Sequence, residues 1–230
     1  MKEGSTDKEI IVSIIMPSYN QADYLPKAIE SVITQSFRDF ELIIIDDCSE
    51  DDSKLIAKRY SLIDNRVKLI SHSKNMGRSQ SRNDGIEAAR GRYIAFIDSD
   101  DEWKSHKLER QLSEIELNSA VIYSNAELID HNSKYIGKLF SEMINLDTFH
   151  ANGNIFNDLI NSNFVCHQSI LVPKKYIDEL RFDSSLKYIQ DYDLNISLSA
   201  SFLFKYIDEP LTKYRLHGKN SIYQPELPPN

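Results

Sequence analysis

The stretch Gly91-Arg92-Tyr93-Ile94-Ala95-Phe96-Ile97-Asp98-Ser99-Asp100-Asp101 decides the fold. Its apolar run, 93–97, is too short for a helix and empties into three carboxylates. It reads as a buried strand ending in a polar loop. The same pattern recurs upstream. Residues 10–16 form a β-branched run stopped by Pro17 and followed by Ser18-Tyr19-Asn20. Residues 41–45 end in Asp46-Asp47, and 67–70 make a third short run. Between these runs the period changes. Leu25, Ala28, Ile29, Val32 and Ile33 share one face of a helix over 24–35, with Asp23 as its expected cap and Pro26 in its first turn. A second helix is expected over 52–60, capped by Ser49 or Asp51. A third, over 79–89, is opened by a turn at Gly77 and ended by Gly91.

Four strands separated by three helices predict an α/β fold: a Rossmann-like, mostly parallel sheet with right-handed crossovers, flanked by helices. Ligands of such sheets bind outside the carboxyl ends of the strands. Three polar clusters fall at that edge: Ser18-Tyr19-Asn20, Asp46-Asp47 and Asp98 to Asp101. The second half is less regular. Helices are expected over 107–117, 155–160, 174–179 and 192–202, and strands over 120–129, 135–137, 169–172 and 204–208. The ends, 1–9 and 224–230, read as loose tails.

Bulk composition narrows the function. The chain has 230 residues, 41% of them hydrophobic and 27% charged, enough for one sizeable core. Its net charge is −8, with no dense Lys/Arg cluster, so nucleic acid is not an expected partner. Cys48 and Cys166 lack metal or redox spacing and read as structural. Residues 1–9 hold no apolar core of a signal peptide, and no run approaches the roughly 20 apolar residues of a membrane span. A cytoplasmic location is expected.

The acidic cluster has the chemistry of a cation site. Asp98 and Asp100 point to one face of an extended chain, roughly 7 Å apart. Such carboxylates can share Mg²⁺ or Mn²⁺, or divide the work between cation and ribose hydroxyl. The competing reading is a cap for the helix near Lys104, a role that needs one Asp and is assigned to Asp101. Only seven glycines are present, and neither GxGxxG nor GxxxxGK[ST] occurs. A diphosphate would therefore be neutralised by a carboxylate-held metal, aided by the Asn75-Met76-Gly77 turn and Arg82. Tyr19 could stack on a base or lie buried at the strand end. Asp47 could accept from a pyrimidine imino N–H, and Asp46 reads as structural. Asp191 opens a predicted helix, either as a general base or as an acid favoured by the helix dipole. His217, beside Gly218, is a candidate ligand. His72, His106, His131, His150 and His167 have no partner that the sequence names.

Taken as a set, these residues resemble the family 2 glycosyltransferases. The resemblance is carried by Ser13-Ile14-Ile15-Met16-Pro17-Ser18-Tyr19-Asn20, by Gln35-Ser36-Phe37 and by Glu41 through Ser49. It continues through Asn75-Met76-Gly77, Arg82-Asn83-Asp84-Gly85, Gly91 through Asp101 and Trp103. It is looser at Gln190-Asp191-Tyr192-Asp193-Leu194 and Tyr214-Arg215-Leu216-His217. It implies an inverting enzyme of the GT-A fold, one domain over 1–230. Residues 10–103 would be the nucleotide-sugar half, and 104–223 an acceptor-side half with a smaller mixed sheet. Pro17, Tyr19 and Asp47 would line the base pocket, with Asn75, Gly77, Arg82 and Ser99 near the nucleotide. Asp98 would face the ribose, Asp100 would bind a divalent cation (Mn²⁺ or Mg²⁺) on the diphosphate, and His217 would join it. Asp191 would be the base. The family usually has Glu before that base, and Gln190 here removes one charge beside it. Implied partners are a nucleotide sugar, UDP-linked by family habit, and a saccharide or lipid-linked acceptor that would draw the chain to the inner membrane face. Oligomeric state is left open.

Two rival readings compete with this one. An aspartate-dependent phosphohydrolase shares Asp-x-Asp after a strand, but wants it on an early strand followed by Thr or Val. A non-catalytic module would be either a receiver-like domain on Asp46-Asp47, which leaves half the chain unused, or an inactive nucleotide-sugar-binding relic. A relic would be expected to have lost Asp191 or the Asp98/Asp100 pair, and both are present.

Overall fold

The computed structural model describes residues 9–144, 152–186 and 188–218. The expected tails therefore lie outside the described residues, Glu9 excepted, as do His150 and residues 219–223 of the acceptor-side half. In chain order the elements are β1 (Val12–Ser18), α1 (Leu25–Ile33), β2 (Phe40–Asp46), α2 (Ser53–Ile63), β3 (Val67–Ser71), α3 (Arg78–Ala88), β4 (Tyr93–Phe96), β5 (Glu102–Trp103) and α4 (Lys107–Asn118). Then follow β6 (Val121–Ile129), β7 (Tyr135–Leu139), α5 (Phe140–Met143), α6 (Phe156–Asn161), a 3₁₀ turn (His167–Ser169), β8 (Leu171–Pro173), α7 (Lys174–Ile177), α8 (Gln190–Ser201) and β9 (Phe204–Arg215).

The described strands form one sheet in the order β3-β2-β1-β4-β8-β6-β9-β5, with β7 paired to β6. The first four run parallel. From β4 onward the pairing is mixed: β8 is antiparallel to β4 and β6, and β9 is parallel to β6. The expected acceptor-side sheet is thus the far half of the same sheet. Alternation along the strands separates two cores. Val12, Ile14 and Met16 of β1 join Leu42 and Ile44 of β2 under α1, α2 and α4. Ile15, Ile43 and Ile45 face the other way, with Ile86 of α3 and Leu194 and Leu198 of α8. The sheet is covered on both faces, as near-continuous apolar strands require.

Two glycines set how closely the layers approach. A Cβ on Gly85 would lie 2.5 Å from Cγ2 of Ile15, so α3 seats on β1 only because that atom is missing. A Cβ on Gly91 would meet the Ser13 backbone nitrogen at 2.5 Å. There the Ser13 hydroxyl accepts from the Gly91 N–H and donates to Glu41, binding the start of β4 to β1 and β2.

Several local expectations change. The N-cap of α1 is Tyr24, with no side-chain cap, so Asp23 does not cap it. The N-cap of α2 is Asp52, with no side-chain cap, so neither Ser49 nor Asp51 caps it; Asp51 accepts from the Ser53 and Ala22 N–H groups at 2.9 Å, and Ser49 accepts from the Asn20 N–H. Helix α4 begins at Lys107 after His106, and Asp101 does not cap it. Strand β9 runs seven residues past its expected end. Asp208-Glu209-Pro210 sit inside it, where the β6–β9 register shifts between Ser124 and Ala126.

Candidate functional site

Strand order places the site. β1 is flanked by β2 and β4, so the chain reverses direction across the sheet beside β1. Crevices open at the carboxyl ends at such a reversal. Here a cleft of about 220 Å³ is lined by Pro17, Ser18, Tyr19, Gln21, Asp47, Asn75, Gly77, Arg78, Ser81, Asp98, Ser99 and Asp100. All three polar strand ends meet in it.

One wall is built by Asp47. The carboxylate, 3% exposed, accepts from the Met76 N–H at 2.7 Å and the Gly77 N–H at 2.8 Å. Gly77 holds φ at +87°, a conformation open to glycine, and turns the chain into α3. Asp47 thus holds the Asn75–Gly77 turn through two hydrogen bonds, is itself bonded to His72, and retains acceptor capacity toward the cleft. Tyr19 is 44% exposed at the rim, so the buried reading of this ring is set aside.

The acidic turn is held from both halves. Arg82 Nη2 donates to Asp98 Oδ1 at 2.7 Å, and Gln168 Nε2 donates to Oδ2 at 2.7 Å. Burial opposes ionisation of Asp98, but the Arg82 and Arg78 charges and these bonds hold its pKa down at about 2. Arg82 itself is buried, lies over Phe182, and does not line the cleft; Arg78, one turn earlier, does. Of the two guanidiniums, Arg78 therefore lines the cleft, while the expected one, Arg82, is bonded to Asp98.

Asp101 turns inward and accepts from the Arg215 N–H at 2.8 Å. Burial, with the charges of Asp100 and Asp98 beside it, pushes its carboxyl well above the usual range. Its Oδ2 is buried without a hydrogen-bond partner among the described residues. Asp98, Asp100 and Asp101 each bring an oxygen within 4.8 Å of the others, a donor set that fits a hard divalent cation.

β9 carries the second half to this turn. Arg215, fully buried, donates through Nε to the Asp100 carbonyl at 2.6 Å, through Nη1 to the Asp130 carbonyl at 2.8 Å and through Nη2 to Glu102 at 2.5 Å. Two residues on, His217 Nε2 lies 2.9 Å from Asp100 Oδ2, and its ring stacks on Tyr24 at 5.0 Å. The two expected metal ligands, 117 residues apart, are in direct contact.

Asp191 stands in the first turn of α8, partly buried, its Oδ1 accepting from the Tyr192 N–H at 2.9 Å. Its charge and that of Asp98 both act on His167. That ring is buried between Phe96 and Phe182, and burial with the Arg82 charge pushes its pKa down to about 4. His106 also gains a partner, Glu209 at 2.7 Å. Sequence reasoning missed Gln168, Arg78 and the role of Arg215. Only Arg215 carried any signal, through its place two residues before His217.

The family description "Glycosyl transferase family 2" matches residues 13–180. The chain belongs to glycosyl transferase family 2. This glycosyltransferase is 31% identical over 220 residues to TuaG of Bacillus subtilis (strain 168), a protein named for teichuronic acid biosynthesis; the match covers 94% of the chain and 83% of the relative. It is 40% identical over 131 residues to WfgD of Escherichia coli, named UDP-Glc:alpha-D-GlcNAc-diphosphoundecaprenol beta-1,3-glucosyltransferase, covering 56% of the chain and 51% of the relative. Its fold matches the crystal structure of S. aureus TarS in complex with UDP-GlcNAc at a TM-score of 0.74, with 19% identity. That match covers 91% of this chain, which spans 60% of the solved one. The glycosyltransferase therefore has the GT-A fold expected of it.

Proposed function

We propose that this glycosyltransferase is inverting and moves a sugar from a nucleoside-diphosphate donor, UDP-linked, to a hydroxyl of a saccharide or lipid-linked acceptor. The observation that carries this reading is the His217–Asp100 contact at 2.9 Å on the rim of the cleft lined by Tyr19, Asp47, Gly77 and Asp98. UDP is favoured because TarS is solved with UDP-GlcNAc and WfgD is named for UDP-Glc. The lipid-linked acceptor follows WfgD's name alone.

Pro17, Tyr19 and Asp47 hold the nucleoside, with Asn75, Gly77 and Ser99 along the wall. Asp98, kept ionised by Arg82, accepts from a ribose hydroxyl. Asp100 and His217 would hold a divalent cation, Mn²⁺ or Mg²⁺. Once bound, the cation supplies charge neutralisation to the diphosphate. Arg78 adds a guanidinium to the same wall. Asp191 takes the proton of the acceptor hydroxyl, and the oxygen bonds to the anomeric carbon from the far face. The bond from that carbon to the diphosphate oxygen breaks, and the electron pair leaves with the nucleoside diphosphate.

Among the described residues no helix is long and apolar enough to cross a membrane. Work in the cytoplasm at the inner membrane face is proposed on the acceptor's account. We read residues 1–230 as one catalytic unit, because a single sheet runs through both halves. Calorimetric titration of UDP-GlcNAc and UDP-Glc with Mn²⁺, repeated in EDTA, tests the site. The expected result is loss of binding in EDTA. Undiminished affinity would remove the cation from Asp100 and His217.

A further inference from the structure

His72 directly follows β3. Its backbone N–H donates to the Asp46 carbonyl at 2.9 Å, extending the β2–β3 ladder by one residue. The ring then lies between two carboxylates on different elements. Nδ1 is 2.7 Å from Oδ1 of Asp47 at the end of β2, and Nε2 is 2.8 Å from Oδ2 of Asp84 in α3. An ionised carboxylate only accepts, so both contacts are satisfied only if both ring nitrogens donate. That form is the imidazolium. The titratable groups bonded to the ring are these two acids, and Gln80 Nε2 holds the other oxygen of Asp84 at 2.7 Å. The ring is 10% exposed, little more than Asp47 itself. Burial works against its charge, but the hydrogen bonds and charges of Asp47 and Asp84 outweigh it and raise its pKa.

Asp47 sits at the far end of this bridge. One of its oxygens receives both the imidazolium and the Met76 N–H; the other receives the Gly77 N–H and has room toward the cleft. Without the imidazolium, Asp47 would hang from two backbone amides of a turn whose Asn75 and Met76 are exposed.

We propose that His72 is a positioning residue for the donor's nucleoside: as an imidazolium it clamps Asp47 between β3 and α3 and fixes the Asp47–Asn75–Gly77 wall. The proposal rests on the nucleotide-sugar reading above. It makes affinity for the nucleoside end sensitive to pH while leaving the diphosphate end alone. The sign follows from the raised pKa. The clamp is present at pH below the folded-state pKa of His72 and is lost as pH rises through it.

The test measures Mn²⁺-supported binding of UDP and of inorganic pyrophosphate between about pH 6 and pH 9. Wild type, His72→Ala and Asp84→Asn are compared. Wild-type affinity for UDP is expected to fall roughly tenfold across the range, the worth of one charge-assisted hydrogen bond. His72→Ala should be weak and flat throughout. Asp84→Asn, which removes one of the two acids that demand the second proton, should move the midpoint down by about one unit. Pyrophosphate affinity should be the same in all three. Wild-type UDP affinity in His72→Ala overturns the proposal, as does an equal loss of pyrophosphate binding, which would mark general damage. Failure of wild type to bind UDP at all overturns both this proposal and the reading it rests on.

Discussion

The two halves of the molecule build one site by different means. In residues 10–103 the site follows from topology: three parallel strands end side by side, and whatever follows them is in the cleft. In the second half one group, His217, follows a strand end, that of β9, and the others come from a turn and a helix. Gln168 reaches Asp98 from a 3₁₀ turn, His217 reaches Asp100 after a twelve-residue strand, and Asp191 opens a helix on the opposite face of the sheet from α1. The first half lines the cleft; the second braces its acidic turn through Gln168 and His217 and carries the proposed base, Asp191. Donor binding should therefore depend mainly on the first half, and the chemical step on the second.

Asp191→Asn tests that division with the largest expected effect. Single-turnover transfer at saturating donor should fall by about 10²–10⁴, the usual worth of general-base help, while the donor Kd stays near wild type. Transfer at the wild-type rate would place the base elsewhere. A large loss of donor binding would erase the contrast between the halves.

This contrast also accounts for what the sequence made legible. Asp47 and Asp98 were readable because a strand's apolar run announces its own end, and the sheet rule says what lies there. His72 was not, since its partners stand 25 and 12 residues away on different elements and no periodicity links them. Gln168 is a neutral side chain in a turn with no motif. β5, two residues long, has no pattern to detect, yet it pairs with β9 and brings Arg215 to the acidic turn. Asp101 shows the other kind of miss. Local propensity favours a cap, but a distant backbone N–H had the better claim. The expectations that held rest on local hydrophobic period; those that changed depend on contacts made only after the sheet has closed.

Arg215 sharpens the comparison through stability. Arg215→Ala would leave Glu102 with Ser133 and with Lys213 at 3.3 Å, and would remove the guanidinium that bonds the Asp100 and Asp130 carbonyls. A loss of about 3–5 kcal/mol in denaturant unfolding is expected, as for breaking a buried pair. The first-half counterpart is Arg66→Ala, which breaks a partly exposed pair with Asp64 and should cost about 1 kcal/mol or less. Equal losses would mean that the β5–β9 junction is no more dependent on its ion pair than the surface of α2 and β3.

The smallest effect is the most pointed, because Gln168 joins the halves without charge of its own. Gln168→Ala removes one of the two side chains that hold Asp98, leaving Arg82 on the other oxygen. Asp98 stays ionised, so the fold and the local charge are kept and only the carboxylate's orientation is released. Losing one hydrogen bond to a charged group corresponds to roughly tenfold in affinity. Donor Kd should therefore rise about tenfold, with kcat at saturating donor little changed. Gln168→Glu then separates orientation from charge. It keeps the length but turns a donor into an acceptor facing Asp98, and two carboxylates in contact repel. It should bind the donor less tightly than the alanine variant. If both variants bind as wild type does, Asp98 is positioned by the first half alone, and the second half contributes to chemistry without shaping the donor's seat.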